Sequence, residues 1–284
     1  MSIRALYRSG RPVVSFEVFP PKQDTGIDDI YEALAQLAAL APDFISVTYG
    51  AGGSGSVNRT AEITAAVRRR YGIRAMAHLT CVGAERGRVA AQLDAMRAEG
   101  VRNVLALRGD DSEGARPGAY RHAEDLIREI RARGGFCIGA ACYPEGHIDC
   151  ESPARDIEYL RRKQDAGADF LIGQLCFDNN LFFGFLERAR AAGVTVPISA
   201  GVMPILGRRQ IERMIFLCGA SLPSEIIKLL HRHAHSPADL RAAGIERAAG
   251  QVEALLAGGV DGVHIYTMNK PEIASTCMTR IGRV

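Results

Sequence analysis

An eight-stranded α/β barrel is the fold this sequence predicts, and three observations predict it. Eight short runs of β-branched and apolar residues recur along the chain. Amphipathic helical stretches alternate strictly with them. The residues at which each run ends are polar and stand beside Gly or Pro. Strict alternation of strand and helix means a parallel sheet joined by helical crossovers. Eight such units in 284 residues fit a closed barrel, which typically takes about 250 residues.

The runs begin at Val13 (VVSFEVF), Asp43 (DFISVTY), Arg74 (RAMAHLTC), Asn103 (NVLALRG), Cys137 (CIGAACY), Phe170 (FLIGQLCF), Val196 (VPISAGV) and Gly262 (GVHIYTM). Between them lie stretches such as DDIYEALAQLAAL, RVAAQLDAMRAEG and PARDIEYLRRKQDAG. Several end in Gly just before the next strand, as at Gly100, Gly167 and Gly193, where Gly suits a helix C-terminus. The segment from Ser221 to Ala257 holds two helical stretches ahead of the last strand, so one extra helix is expected there. No linker, repeat or low-complexity tract divides the chain, and residues 1–284 read as one barrel domain.

Composition narrows the function. With 47% hydrophobic and 24% charged residues and a net charge of +3, the chain has no basic excess to mark a nucleic-acid binder. The clusters Arg68-Arg69-Arg70 and Arg161-Arg162-Lys163 sit at or within helical stretches and read first as solvated faces. Seven cysteines with no CxxC spacing read as reduced thiols. The first residues, MSIRALYRSGRP, lack the apolar core of a secretion signal, and no run reaches the roughly 20 apolar residues of a membrane helix. A cytoplasmic protein without nucleic-acid or membrane partners is expected.

In a barrel the chemistry belongs at the C-terminal ends of the strands. Those ends read FEVFPPK, VTYGAGGSGS, AHLTCVG, LRGDD, CYPEGH, GQLCFD, GVMP and YTMNK. Glu17 is the strongest single residue. Flanked by Phe16, Val18 and Phe19, its carboxyl is expected to be desolvated and its pKa raised toward the range of a general acid. Strand alternation places it with Ser15 and Phe19 and leaves open whether that face is the barrel interior.

Two other patterns carry less. Gly50–Gly55 (GAGGSG) matches G-x-G-x-x-G, but no acidic residue ends the following strand, so it reads as a rim loop near a ligand and not a dinucleotide turn. His231, His233 and His235 have no acidic or Cys companions and read as a solvated helix end; no metal site is expected.

Taken in order, SFEVFPPK, VTYGAGG…NRT, HLTC, ALRGD, YPEGH, RRKQDAGAD, QLCFD and YTMNK resemble the bacterial-type methylenetetrahydrofolate reductase family from about Val13 to Ala274. The resemblance implies a (β/α)8 barrel carrying FAD. It implies ping-pong reduction of 5,10-methylenetetrahydrofolate to 5-methyltetrahydrofolate, with NADH or NADPH as reductant, in a homo-oligomer. It gives Glu17 the task of protonating N10 of the folate, which opens the five-membered ring to an iminium ion, and Asp110 that of stabilising the cation. For the flavin it points to Thr48, Tyr49, Ala51, His78, Arg108, Gly109 and Asp110, and further to Tyr120, Tyr143, His147, Asp156, Arg162 and Lys163. The last two are the cations for the FAD pyrophosphate, which overrides the solvated-face reading of that cluster. For the folate it points to Glu17, Gln174, Gln210 and Lys270.

Two substitutions depart from the family pattern. Lys270 stands where Arg is usual, which replaces a bidentate fork with a point charge toward the glutamate tail. Met214 stands where relatives often place a stacking aromatic. The alternatives are a tetrahydrofolate-dependent methyltransferase or demethylase on the same barrel, and a non-catalytic flavin- or folate-binding protein.

Overall fold

The computed structural model describes residues 2–21, 27–49, 53–110 and 118–284, with backbone alone for 53–58. All eight expected strands form. They are β1 (Val13–Val18), β2 (Phe44–Val47), β3 (Arg74–Thr80), β4 (Asn103–Leu107), β5 (Cys137–Cys142), β6 (Phe170–Leu175), β7 (Ile198–Val202) and β8 (Gly262–Tyr266). They pair in parallel in sequence order, and β1 closes on β8 with Val13 opposite Gly262 and Glu17 opposite Tyr266. Most expected runs overshoot their strand by one or two residues at the rim, where the polar ends already belong to the loops, whereas the seventh starts two residues early at Val196.

The helices of the first six units are α1 (Ile27–Ala39), α2 (Gly53–Tyr71), α3 (Arg86–Ala98), α4 (Ala123–Arg133), α5 (Pro153–Asp165) and α6 (Asn179–Ala191). Gly100, Gly167 and Gly193 follow α3, α5 and α6 with φ of 75°, 115° and 85°, a region open to Gly at no steric cost. Gly53–Gly55 are the first residues of α2. That part of the expected rim loop is therefore helix; Gly50 to Gly52 lie outside the described residues.

Between β7 and β8 run α7 (Arg208–Cys218), α8 (Ser224–Arg232) and α9 (Pro237–Ala257), and α10 (Pro271–Arg280) follows β8. A barrel needs one helix per crossover. Among the described residues this crossover therefore holds two extra helices, one more than expected. The two stretches seen in Ser221–Ala257 are α8 and α9, and α9 packs on β7 and β8 as the barrel helix. α7 and α8 join Met203, Ile205 and Leu240 in a small apolar cluster of their own beside the mouth.

Two apolar layers hold the barrel. Outside the wall, residues such as Val14, Phe16 and Val18 pack with Leu34, Leu37 and the other helix faces. Inside, alternate residues of the strands fill the lower half with Phe44, Met76, Leu105, Phe170 and Ile172. A short 3-10 helix, Ile3–Arg8, stops the N-terminal end. Ile3 and Leu6 are buried against that floor, the Ile3 N–H donates to Asn103 Oδ1 (3.0 Å), and the Tyr7 hydroxyl meets Ser199 Oγ (2.8 Å).

Candidate active site at the C-terminal mouth

Alternation along β1 puts Ser15 and Glu17 inside the barrel, while Phe16 and Val18 face the helices. Glu17 is the top of a buried polar layer. His264, inside β8 and fully buried, meets Ser15 Oγ with Nδ1 (2.7 Å) and Ser46 Oγ with Nε2 (3.2 Å). The same Nε2 lies 3.3 Å from Glu17 Oε2, and the Ser46 hydroxyl donates to that oxygen at 3.5 Å. With its proton on Nε2, His264 donates toward Glu17 and accepts from Ser15.

The backbone of Glu17 is clamped as well. Its carbonyl accepts from Thr267 Oγ1 (2.6 Å), and Asn269 pairs in both directions with the backbone of Phe19, at 3.0 and 2.8 Å. Met268 and Asn269 reach those partners with left-handed φ of 53° and 56°, a conformation Asn tolerates and Met seldom adopts. The YTMNK string is thus a turn built to fix the end of β1.

These neighbours reverse one expectation. Burial alone pushes the Glu17 carboxyl up, but the His264 hydrogen bond, the charges of His78 and His264, and the Ser46 hydroxyl outweigh it. The net direction is down from the ordinary value. The sequence reading counted the flanking Phe16 and Val18, which point away from the carboxylate. The groups that decide its protonation come from three other strands.

His78 shows the same environment from the other side. Its Nε2 lies 3.4 Å from Glu17 Oε2 yet makes no hydrogen bond among the described residues. Burial, against the pull of Glu17, brings its pKa down from 6.5 to about 4. The contact is therefore not an ion pair at neutral pH. An unfolded chain would protonate His78 near pH 6.5. Between about pH 6.5 and 4 the unfolded state thus binds the extra proton, and stability is lost as pH falls through that window. Thermal unfolding should show this decline, and His78→Gln should make it shallower. An unchanged slope in the variant would clear His78 of the effect.

Above this layer opens a cavity of about 730 Å³ at the C-terminal mouth. Glu17, His78 and Tyr266 line it from below, and Thr48, Tyr49, Gly109 and Asp110 from the rim of strands 2 to 4. Gln174 and Met214 stand on another side, the Gln174 amide oxygen accepting from the Leu175 N–H at 2.8 Å. A narrower cavity of about 180 Å³ adjoins it, sharing Leu107, Arg108, Ala141, Tyr143 and His147. Asp156 and Lys163 line the narrow part. Lys163 Nζ donates to the Ala141 carbonyl (2.9 Å) and lies 5.4 Å from the Tyr143 ring centroid. Burial pushes the Lys163 ammonium down and the Asp156 carboxyl up, each opposed by the other's charge.

The structure does not bring every expected residue to these walls. Arg162 pairs with Glu124 (2.6 Å) and sits over Tyr159, behind the narrow cavity. Tyr120 is buried beside Arg86 and its hydroxyl has no hydrogen-bond partner among the described residues. Gln210 ties down the loop ahead of α7, accepting from the Leu206 N–H (2.7 Å) and donating to the Pro204 carbonyl (3.1 Å). Lys270 is exposed at the start of α10, and Ala51 lies outside the described residues. His231 lies in the last turn of α8, and His233 and His235 follow the helix. The seven cysteines are free thiols, five of them buried.

Three residues of the site were missed. His264, Ser46 and Tyr266 form or roof the polar layer. The signal was present, since alternation along GVHIY puts Gly262, His264 and Tyr266 on one face. Tyr266 crosses the barrel to donate to the Gly173 carbonyl (2.9 Å), and room for its ring exists because Gly201 has no side chain.

The chain is similar to several known proteins. The family model described as "Methylenetetrahydrofolate reductase" matches residues 2–282. A "Probable methylenetetrahydrofolate reductase (NADH)" of Oryza sativa subsp. japonica is 35% identical over 97% of this chain and 49% of its own length. A "5,10-methylenetetrahydrofolate reductase" of Pectobacterium carotovorum subsp. carotovorum is 33% identical over 96% of this chain and 91% of its own. The chain thus spans about half the length of the plant relatives and nearly all of the bacterial one. Among solved structures, a Clostridium thermocellum protein described as binding two copies of 5-methyl-5,6,7,8-tetrahydrofolic acid superposes with a TM-score of 0.67. The match covers 99% of this chain and 98% of that one at 11% identity, a likeness of fold alone. By the family match over nearly its whole length and its likeness to full-length bacterial relatives, this chain belongs to the methylenetetrahydrofolate reductase family.

Proposed function

We propose that this chain reduces 5,10-methylenetetrahydrofolate to 5-methyltetrahydrofolate with electrons from NADH or NADPH, residues 1–284 acting as one catalytic unit. The observation that carries the reading is Glu17. It is a carboxyl group set on a histidine and two serines at the bottom of a mouth with room for a pterin and a flavin together.

The residues at the mouth fit FAD. Two adjoining cavities with aromatic and apolar walls suit a ring system followed by a narrower arm, and the half-buried Lys163 and Arg108 supply cations for a pyrophosphate. Tyr143, His147, Asp156 and Lys163 would hold the arm, and Thr48, Tyr49, His78, Gly109 and Asp110 the ring system. When bound, the flavin would take two electrons from the nicotinamide and deliver them to the folate carbon.

The chain's own work is binding and proton management. Gln174 would orient the pterin edge. Glu17 would deliver a proton to N10, opening the imidazolidine ring, and the Asp110 carboxylate would face the iminium cation that results. His264 and Ser46 would hold the Glu17 carboxyl in place. Arg162 would act on the cofactor through Tyr159 and Glu124. Gln210 would shape the loop that flanks the substrate, and Lys270 would meet the glutamate tail outside the cavity. A cytoplasmic homo-oligomer working by a ping-pong cycle completes the reading; among the described residues no helix is long and apolar enough to cross a membrane.

The test is the visible spectrum of the purified protein after loading with FAD and desalting. Flavin absorbance should remain with the protein, bleach on anaerobic addition of NADH, and return on addition of 5,10-methylenetetrahydrofolate with 5-methyltetrahydrofolate as product. Protein that retains no flavin, or bleached protein that the folate leaves unchanged, would reject the proposal.

A further inference from the structure

The opposite end of the barrel holds another cavity, of about 250 Å³, between the ends of α2 and α3 and the beginnings of β3 and β4. Three guanidinium side chains line it, Arg68, Arg74 and Arg102, and among the described residues no carboxylate does. Two of the three are engaged by backbone. Arg68 Nη2 donates to the Glu99 carbonyl (3.5 Å), and Arg102 Nη1 donates to the Arg97 and Val101 carbonyls (2.8 and 3.0 Å). Cations at the carbonyl ends of helices are favourable in their own right, so these two are accounted for as caps. The neighbouring carboxylate, Glu99, is ion-paired with Arg69 at 3.0 Å, though its buried Oε2 makes no hydrogen bond among the described residues.

Arg74 is left over. It opens β3, its Nε is buried, and that N–H finds no hydrogen-bond partner among the described residues. A buried donor with no acceptor costs roughly 1–3 kcal/mol, more when charged, so such groups are uncommon unless something else satisfies them. Other atoms of the Arg74 side chain line the cavity, and among the described lining residues every charged side chain is positive.

We propose that this cavity is an oxyanion site for ligands of the phosphate class, either inorganic phosphate or a small phosphate monoester. The guanidinium fork of Arg74 matches phosphate geometry, and Arg68 and Arg102 retain N–H groups beyond those spent on carbonyls. The cavity exceeds the roughly 30 Å³ share of a water molecule and falls below the roughly 300–1,000 Å³ of sites for larger ligands, so a dinucleotide is excluded by size. The site lies at the strand beginnings, far from the Glu17 rim, and so governs stability and not chemistry.

Thermal unfolding of the FAD-loaded protein tests this. Inorganic phosphate and glycerol 3-phosphate are titrated separately, with chloride at matched ionic strength as control. At about 100 times its dissociation constant, the bound anion should raise Tm by about 3–6 °C. Chloride should not, and the tighter of the two phosphates identifies the source. Arg74→Gln should weaken that binding at least tenfold and leave folate turnover unchanged. Arg102→Gln, at an exposed position, should weaken it in the same sense and serves if the first variant folds poorly. A rise that chloride reproduces, or one that survives both substitutions because phosphate binds beside Lys163, would overturn the proposal.

Discussion

Replacing Glu17 with Gln is expected to slow folate-driven reoxidation of the NADH-bleached protein by about 10²–10⁴-fold, the usual worth of general acid catalysis. Bleaching by NADH should proceed at nearly the native rate. Gln keeps the size of the side chain and its hydrogen bonds to Ser46 and His264 but has no proton to give to N10. The setting of Glu17 adds a signature in pH. The hydrogen bonds from His264 and Ser46 hold the free carboxyl below its ordinary value. The acid form is therefore scarce in the free protein at neutral pH and becomes more abundant as pH falls. kcat/KM for the folate should accordingly climb as pH is lowered from about 8 to 5, whereas a carboxyl of raised pKa would level off near neutrality. Stopped-flow measurement of the two half-reactions decides the matter. Normal folate reactivity in the variant would remove Glu17 from the chemistry.

Gly201→Ala is expected to be strongly destabilising. A Cβ there would press on the Gly173 carbonyl and stand 2.8 Å from the Tyr266 hydroxyl, so the hydrogen bond that carries Tyr266 across the barrel would have to break. One collision is with backbone, which cannot swing aside. Overpacking of this kind costs about 1–3 kcal/mol, or about 2–6 °C in Tm for a chain of this size. Flavin retention should fall with it, since Tyr266 lines the mouth. Gly207→Ala is the control: nothing lies within 4 Å of a Cβ built there, and its Tm should be unaffected. If both variants unfold at the native temperature, the close approach of Gly201 to Tyr266 has no energetic weight.

The strands were legible because a parallel barrel strand is apolar on both faces, and each run therefore stands out against the helical period around it. β5, for instance, reads CIGAAC and is buried almost throughout. The crossover from β7 to β8 was less legible. α7 is charged at its start and buries little beyond Ile211, so its sequence marks a surface helix without saying that it adds to the barrel's own. In the site, the rim residues carried their own signal, as with Tyr143 and His147 in CYPEGH. The polar layer did not. That His264 meets Ser15 and Ser46 follows from barrel closure, which pairs β1 with both β2 and β8, and no local pattern contains it. The direction of the Glu17 pKa was lost for the same reason. Arg162, Tyr120 and Gln210 belong to the right elements, but their side chains are spent on Glu124, on burial beside Arg86 and on the Pro204 loop.

Barrel closure also sets a clock on how the chain comes to exist. The stopper helix Ile3–Arg8 and β1 are made first, yet their partners are distant: Ile3 needs Asn103, Tyr7 needs Ser199, and Val13 needs Gly262. At a synthesis rate of about 5–20 residues per second, Gly262 arrives on the order of 10–50 s after Val13. Throughout that interval one edge of β1 has no strand to pair with, and the floor residues Phe44 and Phe170 have no complete lid. Contacts of such long sequence separation also form slowly once the chain is released. The nascent protein is thus most open to misassociation before Gly262–Tyr266 emerges, and slower translation lengthens that exposure.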